Sequence, residues 1–265
     1  MKQFFSLIGI TGILVGSLYP TFVLGADFAT LKAQIDEVLK QAMAIREQVK
    51  TLAYQQAVRP TAASVGQKQV VLQVGHWKME EMPWELRHLD PHRQAQAPGI
   101  AEWEVNLAIA QETKKLLLQQ GIGVTLAPAI LPRIYLADVF ISIHADQRPL
   151  DPWASGYKIA PSAYDQSGKA RKLAQLMDAE YQKATWLTRD TYIPDSMTHY
   201  YAFNSQKFMY AIHPKTPSVI IETGYLPNPR DQAVIWTNPG MAAQGIAQGI
   251  LTFLYEEGNA SLASF

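Results

Sequence analysis

Four short runs of nearly continuous apolar residues punctuate the chain: VVLQV (70–74), VTLA (124–127), DVFISIHA (138–145) and SVIIET (218–223). Strands of this kind are buried on both faces, so other layers must cover them above and below. Between them lie helical patterns at residues 103–120, closed by Gly121, and at 167–184, with a last one at 241–255. This alternation predicts an α/β fold: a three-layer domain with a central mixed, largely parallel sheet flanked by helices. The domain is expected to span residues 69–258, followed by a tail at 259–265.

What precedes the domain reads differently. Lys2 is followed by an apolar run, interrupted by Pro20 and ending at the small residues Gly25 and Ala26. That order is the pattern of a secretory signal peptide, cleaved after Gly25. A retained anchor is the alternative, since the run approaches the ~20 residues that span a bilayer. Either way the protein is expected to work outside the cytoplasm, in the periplasm or on the cell-envelope exterior. In residues 26–56, Phe28, Leu31, Ile35, Val38, Ala42, Ile45, Val49 and Leu52 alternate spacings of three and four, an apolar heptad stripe on one helix. Such a stripe needs a cover, whether the main domain, a second copy of the chain or a protein regulator. Residues 57–68, with Pro60 and small polar residues, read as a linker.

Composition narrows the chemistry. The 265 residues hold 23 Lys+Arg against 23 Asp+Glu, which argues against a nucleic-acid partner held by a broad basic field. There is no cysteine, so thiol nucleophiles, disulfides and Cys-based metal sites are excluded, and a metal must be held by carboxylates and the six histidines. Three strands end in a group able to bind metal or move a proton: Val74 leads to His76, Ile143 to His144, and Ile221 to Glu222. In open α/β sheets, sites lie at these carboxyl ends. A buried polar group left without a partner costs ~1–3 kcal/mol, so such residues at strand ends suggest use. A third ligand should be a carboxylate, and Glu102 or Glu104 at a helix start would serve equally by spacing. Two histidines, a carboxylate and a further glutamate form the ligand set of catalytic zinc with an open fourth position.

These segments resemble the zinc-dependent N-acetylmuramoyl-L-alanine amidases, cell-wall hydrolases with a His-Glu-His metal site, over about Val70 to Tyr255. VVLQVGHW matches the family's first strand and Gly-His, which implies His76 as a zinc ligand. EWEVNL matches its Glu-x-x-x-Asn-Leu helix start and selects Glu102 over Glu104. ADVFISIHAD is similar to the family phrase that carries the third ligand, here His144. SVIIETGYLPNPRD matches its Glu-x-Gly strand end, implying Glu222 as the catalytic carboxylate and Asn228 as a loop-positioning residue able to meet substrate. Differences fall at the groove rim: Trp77 and KMEEMPWELRHLDPHR follow the Gly-His, Asp146 replaces a usual asparagine and Pro227 a usual serine.

The resemblance implies zinc-dependent hydrolysis of the amide between N-acetylmuramic acid and L-alanine in peptidoglycan. The alternatives are another exported zinc peptidase of carboxypeptidase type and a non-catalytic wall-binding regulatory module. Of the other histidines, His213 lies just before the Glu222 strand and is a candidate substrate contact. His199 sits in the aromatic THYYAF, whereas His88 and His92 flank Pro91 in a polar loop.

Overall fold

The computed structural model describes residues 28–55, 67–79, 82–89, 95–148, 151 and 153–262. Residues 1–25, expected as a signal peptide, residues 57–66 of the expected linker and the end of the expected tail lie outside the described residues. Two units are present, residues 1–55 and 56–265.

In the first unit, helix α1 (Phe28–Gln55) runs unbroken for 28 residues, as a stretch without Gly or Pro allows. Lys32 pairs with Asp36 at 3.3 Å, and Gln41 donates to Glu37 at 3.1 Å, each one turn apart. Phe28, Leu31, Ile35 and Val49 of its stripe are exposed. Among the described residues, no helix is long and apolar enough to cross a membrane.

The second unit is built on a five-stranded sheet of order β4-β1-β5-β7-β6. Its strands are β1 (Gln69–Val74), β4 (Gly123–Ala127), β5 (Val139–Asp146), β6 (Lys158–Pro161) and β7 (Ser218–Tyr225). The four expected runs pair in parallel, and β6 joins antiparallel to β7, with Lys158 opposite Glu222. Sequence reading missed β6, because four residues ending in proline carry no periodic signal. It also missed a two-residue hairpin, β2 (Gln96–Ala97) and β3 (Ile100–Ala101), ahead of the first domain helix.

Alternation along the strands separates two cores. Val70, Leu72 and Val74 of β1, with Val139, Ile141 and Ile143 of β5, face three long helices. These are α2 (Glu102–Gln119), α3 (Ala170–Thr185) and α6 (Pro239–Leu262). On the opposite face Val71, Phe140 and Ile220 pack against Leu131, Met197, Tyr201, Phe203 and Phe208. This second cover is made of loops and short turns, including α4 (Asp195–Thr198). The three layers are as expected, but the long helices share one face. Helix α3 starts at Ala170, later than its pattern suggested, because Asp165 accepts from the backbone N–H of Ser167 (2.9 Å) and Ala170 (3.0 Å) and holds the preceding turn. Helix α6 runs on to Leu262, into the expected tail.

Helices α3 and α6 meet backbone to backbone. A Cβ on Gly245 would lie 2.7 Å from Tyr181 Cα, and one on Gly249 2.6 Å from Met177 Cα. Both contacts involve main chain, which cannot rotate away. Gly249→Ala is therefore expected to push the helices apart and destabilise the domain by ~1–3 kcal/mol, read as a lower denaturant midpoint with an unchanged slope.

Candidate metal centre

The carboxyl edge of the sheet brings together the side chains that the strand ends suggested. β1 continues through Gly75 to His76, β5 supplies His144, and β7 supplies Glu222 directly beside His144 in register. Helix α2 begins at Glu102, one residue earlier than the pattern indicated, and so turns this carboxylate inward. Glu104 turns back instead and accepts from Ala101 N–H at 3.1 Å. The structure thus separates two glutamates that spacing left equivalent.

Close packing explains the Gly-His pair. The nearest atom of the His144 ring would be 2.4 Å from a Cβ at position 75, so any side chain there would displace it. His76 follows with φ of 60°, a left-handed backbone that is uncommon outside glycine. Its ring stands edge-on to that of His144, with centroids 5.2 Å apart.

His76, Glu102 and His144 offer donor atoms that all lie within 4.8 Å of one another. His144 Nδ1 is 3.0 Å from Glu102 Oε1, and His76 Nε2 is 3.5 Å from Glu102 Oε2. Donors arranged tetrahedrally ~2.0–2.1 Å from a zinc ion stand about 3.3 Å apart, so these spacings match its coordination edges. Both His76 Nδ1 and Glu222 Oε2 are buried without a hydrogen-bond partner among the described residues. Glu102 is held in place by N–H groups: Ala95 donates at 2.7 Å, Ala145 at 3.2 Å and the Asn106 amide at 3.2 Å. Asn106 also donates to Gly75 O at 3.2 Å, tying the helix start to the first strand end.

The electrostatics favour a cation here. Burial lowers the His76 imidazole to about 4, which leaves it neutral and able to ligate at neutral pH. Burial works to raise Glu102, but the hydrogen bond and charge of His144 outweigh it and hold the carboxyl below its ordinary value. For His144, burial is likewise outweighed by Glu102, and the imidazole lies above its ordinary value. Burial pushes Glu222 up to about 8.

Beside Glu222, the side chain of Lys158 is buried and pairs with Asp146 and, at 3.6 Å, with Asp190. Arg148 binds Asp190 at 2.9 Å, and Tyr225 donates its hydroxyl to the same carboxylate at 2.6 Å. The metal-site residues and Glu222 open into a cleft of about 560 Å³, whose lining includes Tyr200 and His88.

The remaining candidates lie elsewhere. Asn228 caps helix α5 (Pro229–Ile235), accepting from Arg230 N–H at 2.9 Å and donating to Ala154 O at 3.0 Å. Its amide is thus used by the protein on both sides. His213 does not line the cleft; it precedes β7, toward the amino ends of the strands, and its Nδ1 accepts from Lys215 N–H at 3.1 Å. His199 is exposed against the Tyr164 ring. His88 stacks on Phe208 at the cleft wall, and His92 lies outside the described residues. Sequence reading gave no role to Lys158. The only available signal for Lys158 was a charge within a short apolar run.

Residues 133–252 match the family model described as N-acetylmuramoyl-L-alanine amidase. The match takes in 120 of the 265 residues and makes this segment similar to that family. The matched segment contains His144 and Glu222, whereas His76 and Glu102 precede it and join them through the fold. Among solved structures, the amidase Ami1 from Mycobacterium smegmatis is 20% identical with a TM-score of 0.54, covering 73% of this chain and 100% of its own. The apo form of Ami1 from Mycobacterium abscessus is 21% identical with a TM-score of 0.50, over 71% of this chain and 98% of its own. These likenesses show the fold. No curated protein sequence matches the chain.

The burial of Glu222 has a consequence for metal-free protein. The folded state holds the Glu222 proton up to about pH 8, whereas the unfolded chain releases it near 4.5, so this group's contribution to stability declines with rising pH across that window. His76 opposes the trend below 6.5, where the unfolded chain binds the proton that the folded state, with a value of about 4, excludes. After chelation, Glu222→Gln should gain stability relative to the parent as pH rises toward 8, by up to ~1.4 kcal/mol per pH unit, measured by denaturant titration.

Proposed function

We propose that His76, Glu102 and His144 hold the zinc ion on which this family's chemistry depends, and that Glu222 is the catalytic carboxylate that moves the proton. The reaction is hydrolysis of the amide between N-acetylmuramic acid and L-alanine in peptidoglycan. The observation that carries this reading is the convergence of a buried, unpartnered Glu222 oxygen with a His-Glu-His donor set in one cleft. The chemistry of the donors fits: two imidazoles and one carboxylate leave a zinc ion with net positive charge. Bound there, zinc supplies Lewis acidity that polarises an amide carbonyl and lowers the pKa of water toward ~7.

The chain's own residues do the rest. Burial keeps the Glu222 carboxyl poised near neutrality, the range in which one group can both accept and return a proton. Its free Oε2 takes the proton of the attacking water and passes it to the departing alanine nitrogen. Asn106 and the backbone N–H groups of Ala95 and Ala145 hold Glu102 in the geometry that the two histidines share. Export through residues 1–25 to the periplasm or envelope exterior belongs to the same proposal, as does docking of a regulator on the exposed stripe of α1.

Glu222→Gln is expected to keep stoichiometric zinc while losing ~100- to 10,000-fold in turnover of purified peptidoglycan. Product analysis checks the bond: intact glycan strands and stem peptides beginning with alanine are expected. Trimming from the far end of the peptide would instead mark an exopeptidase, and zinc-loaded protein inactive on both polymer and fragments would overturn the assignment.

A further inference from the structure

One wall of the cleft comes from the stretch that follows the Gly-His, and the proposed reaction gives it no task. Trp84–Leu86 forms a single tight turn there, in which Leu86 N–H donates to Pro83 O at 2.9 Å and Leu89 N–H to Leu86 O at 2.8 Å. The turn is held from several sides. Leu86 is fully buried in the core that covers the sheet away from the long helices. Glu85 Oε1 accepts from two successive backbone N–H groups of a separate segment, Met209 at 2.6 Å and Tyr210 at 3.0 Å. His88 lies nearly parallel to the Phe208 ring of that same segment, with an interplanar angle of 15° and centroids 5.5 Å apart. The segment is anchored in turn, since Ile134 N–H donates to Met209 O at 2.9 Å and Tyr135 N–H to Ala211 O at 3.1 Å.

Bonds from backbone N–H groups to a carboxylate are roughly twice as strong as neutral ones. Irregular backbone is thereby given a fixed base, from which His88 and Leu89 face the cleft. Stacking on Phe208 uses one face of the His88 ring, and neither ring nitrogen has a hydrogen-bond partner among the described residues. An imidazole edge can both donate and accept. Apolar lining of the same cleft comes from Leu89, Ala95, Met197 and Ile220. A hydrogen-bonding edge together with small apolar surface suits a peptide, whose amides alternate with methyl-bearing alanine side chains, better than a hydroxyl-rich sugar.

We propose that residues 82–89 form a clamped specificity wall, in which His88 contacts the stem peptide of the substrate and Glu85 is the positioning residue that holds it there. The identity of the peptide rests on the hydrolysis proposed above, whereas the binding role of the wall is read without turnover. Isothermal titration of Glu222→Gln protein with soluble muramoyl peptides of increasing length, and with the same sugar lacking a peptide, supplies that reading. Adding His88→Ala is expected to weaken binding of the longer peptides ~3- to 10-fold, the range of one lost hydrogen bond, and to leave the bare sugar unaffected. With Glu222 intact, the same change should raise KM by that factor and keep kcat within about twofold, the mark of binding lost equally in ground and transition states.

Glu85→Ala should weaken peptide binding to the same extent, and Glu85→Gln, which keeps the accepting oxygen, should restore most of it. Both residues act through one contact, so combining Glu85→Ala with His88→Ala should lose no more than either alone. Additive losses would overturn the positioning role of Glu85. Peptides that fail to bind the Glu222→Gln protein, or that bind its folded His88→Ala variant equally well, overturn the wall. An equal loss for the bare sugar does so too, by placing His88 on the glycan side. Peptide binding weakened by His88→Ala in a protein that cleaves no peptidoglycan would sustain the wall and overturn the hydrolysis instead.

Discussion

A carboxylate almost wholly withdrawn from water governs the active edge of this domain. Glu102 is 2% exposed, and an ionised group in that position costs several kcal/mol unless its oxygens are satisfied. Satisfying it recruits three separate parts of the chain. The loop ahead of β2 contributes the N–H of Ala95, the end of β5 that of Ala145, and the second turn of α2 the amide of Asn106. Those bonds take up oxygen lone pairs, yet two imidazoles also crowd against the same carboxylate. Positive charge shared among His76, Glu102 and His144 would satisfy the arrangement as a whole. Stability and metal chemistry are therefore one problem at this site.

Much of this was legible in the sequence because the site is built at strand ends. The parallel strands announce themselves as continuous apolar runs, and a polar residue at the close of such a run needs a reason. His76, His144 and Glu222 were found that way. The choice between Glu102 and Glu104 was beyond spacing, since residues two apart at a helix start differ only in where the helix begins. The family resemblance selected Glu102, and the first turn of α2 shows the physical reason. Tyr200 could not be singled out from the other aromatics of THYYAF for another cause. It lies in a stretch with neither helical nor strand periodicity, and it reaches the cleft because the fold sets its ring edge-on to His144, a residue far away in sequence. Gln73 is a lone polar position in a buried strand, and only the fold shows its partners.

The antiparallel strand β6 supplies what the parallel runs could not. Its register sets Lys158 opposite Glu222, so a buried cation stands on the strand next to that carboxylate. Burial alone would lower this lysine, but Asp146 outweighs that effect and holds it above its ordinary value. The charge is shared with Asp190, which Arg148 and Tyr225 also engage. Asp146, one of the rim differences, thus neutralises a buried ammonium group one strand away from Glu222.

The same strand also forms one lateral boundary of the sheet. A free strand edge is a template on which another chain can add itself. Here the exposed length is only four residues. At one end, Tyr157 already exchanges backbone hydrogen bonds with Thr188 and Asp190, and at the other Pro161 has no N–H to offer. Little ladder remains for an incoming strand, so the feature that brings a lysine beside Glu222 also guards this side of the sheet against edge-to-edge pairing.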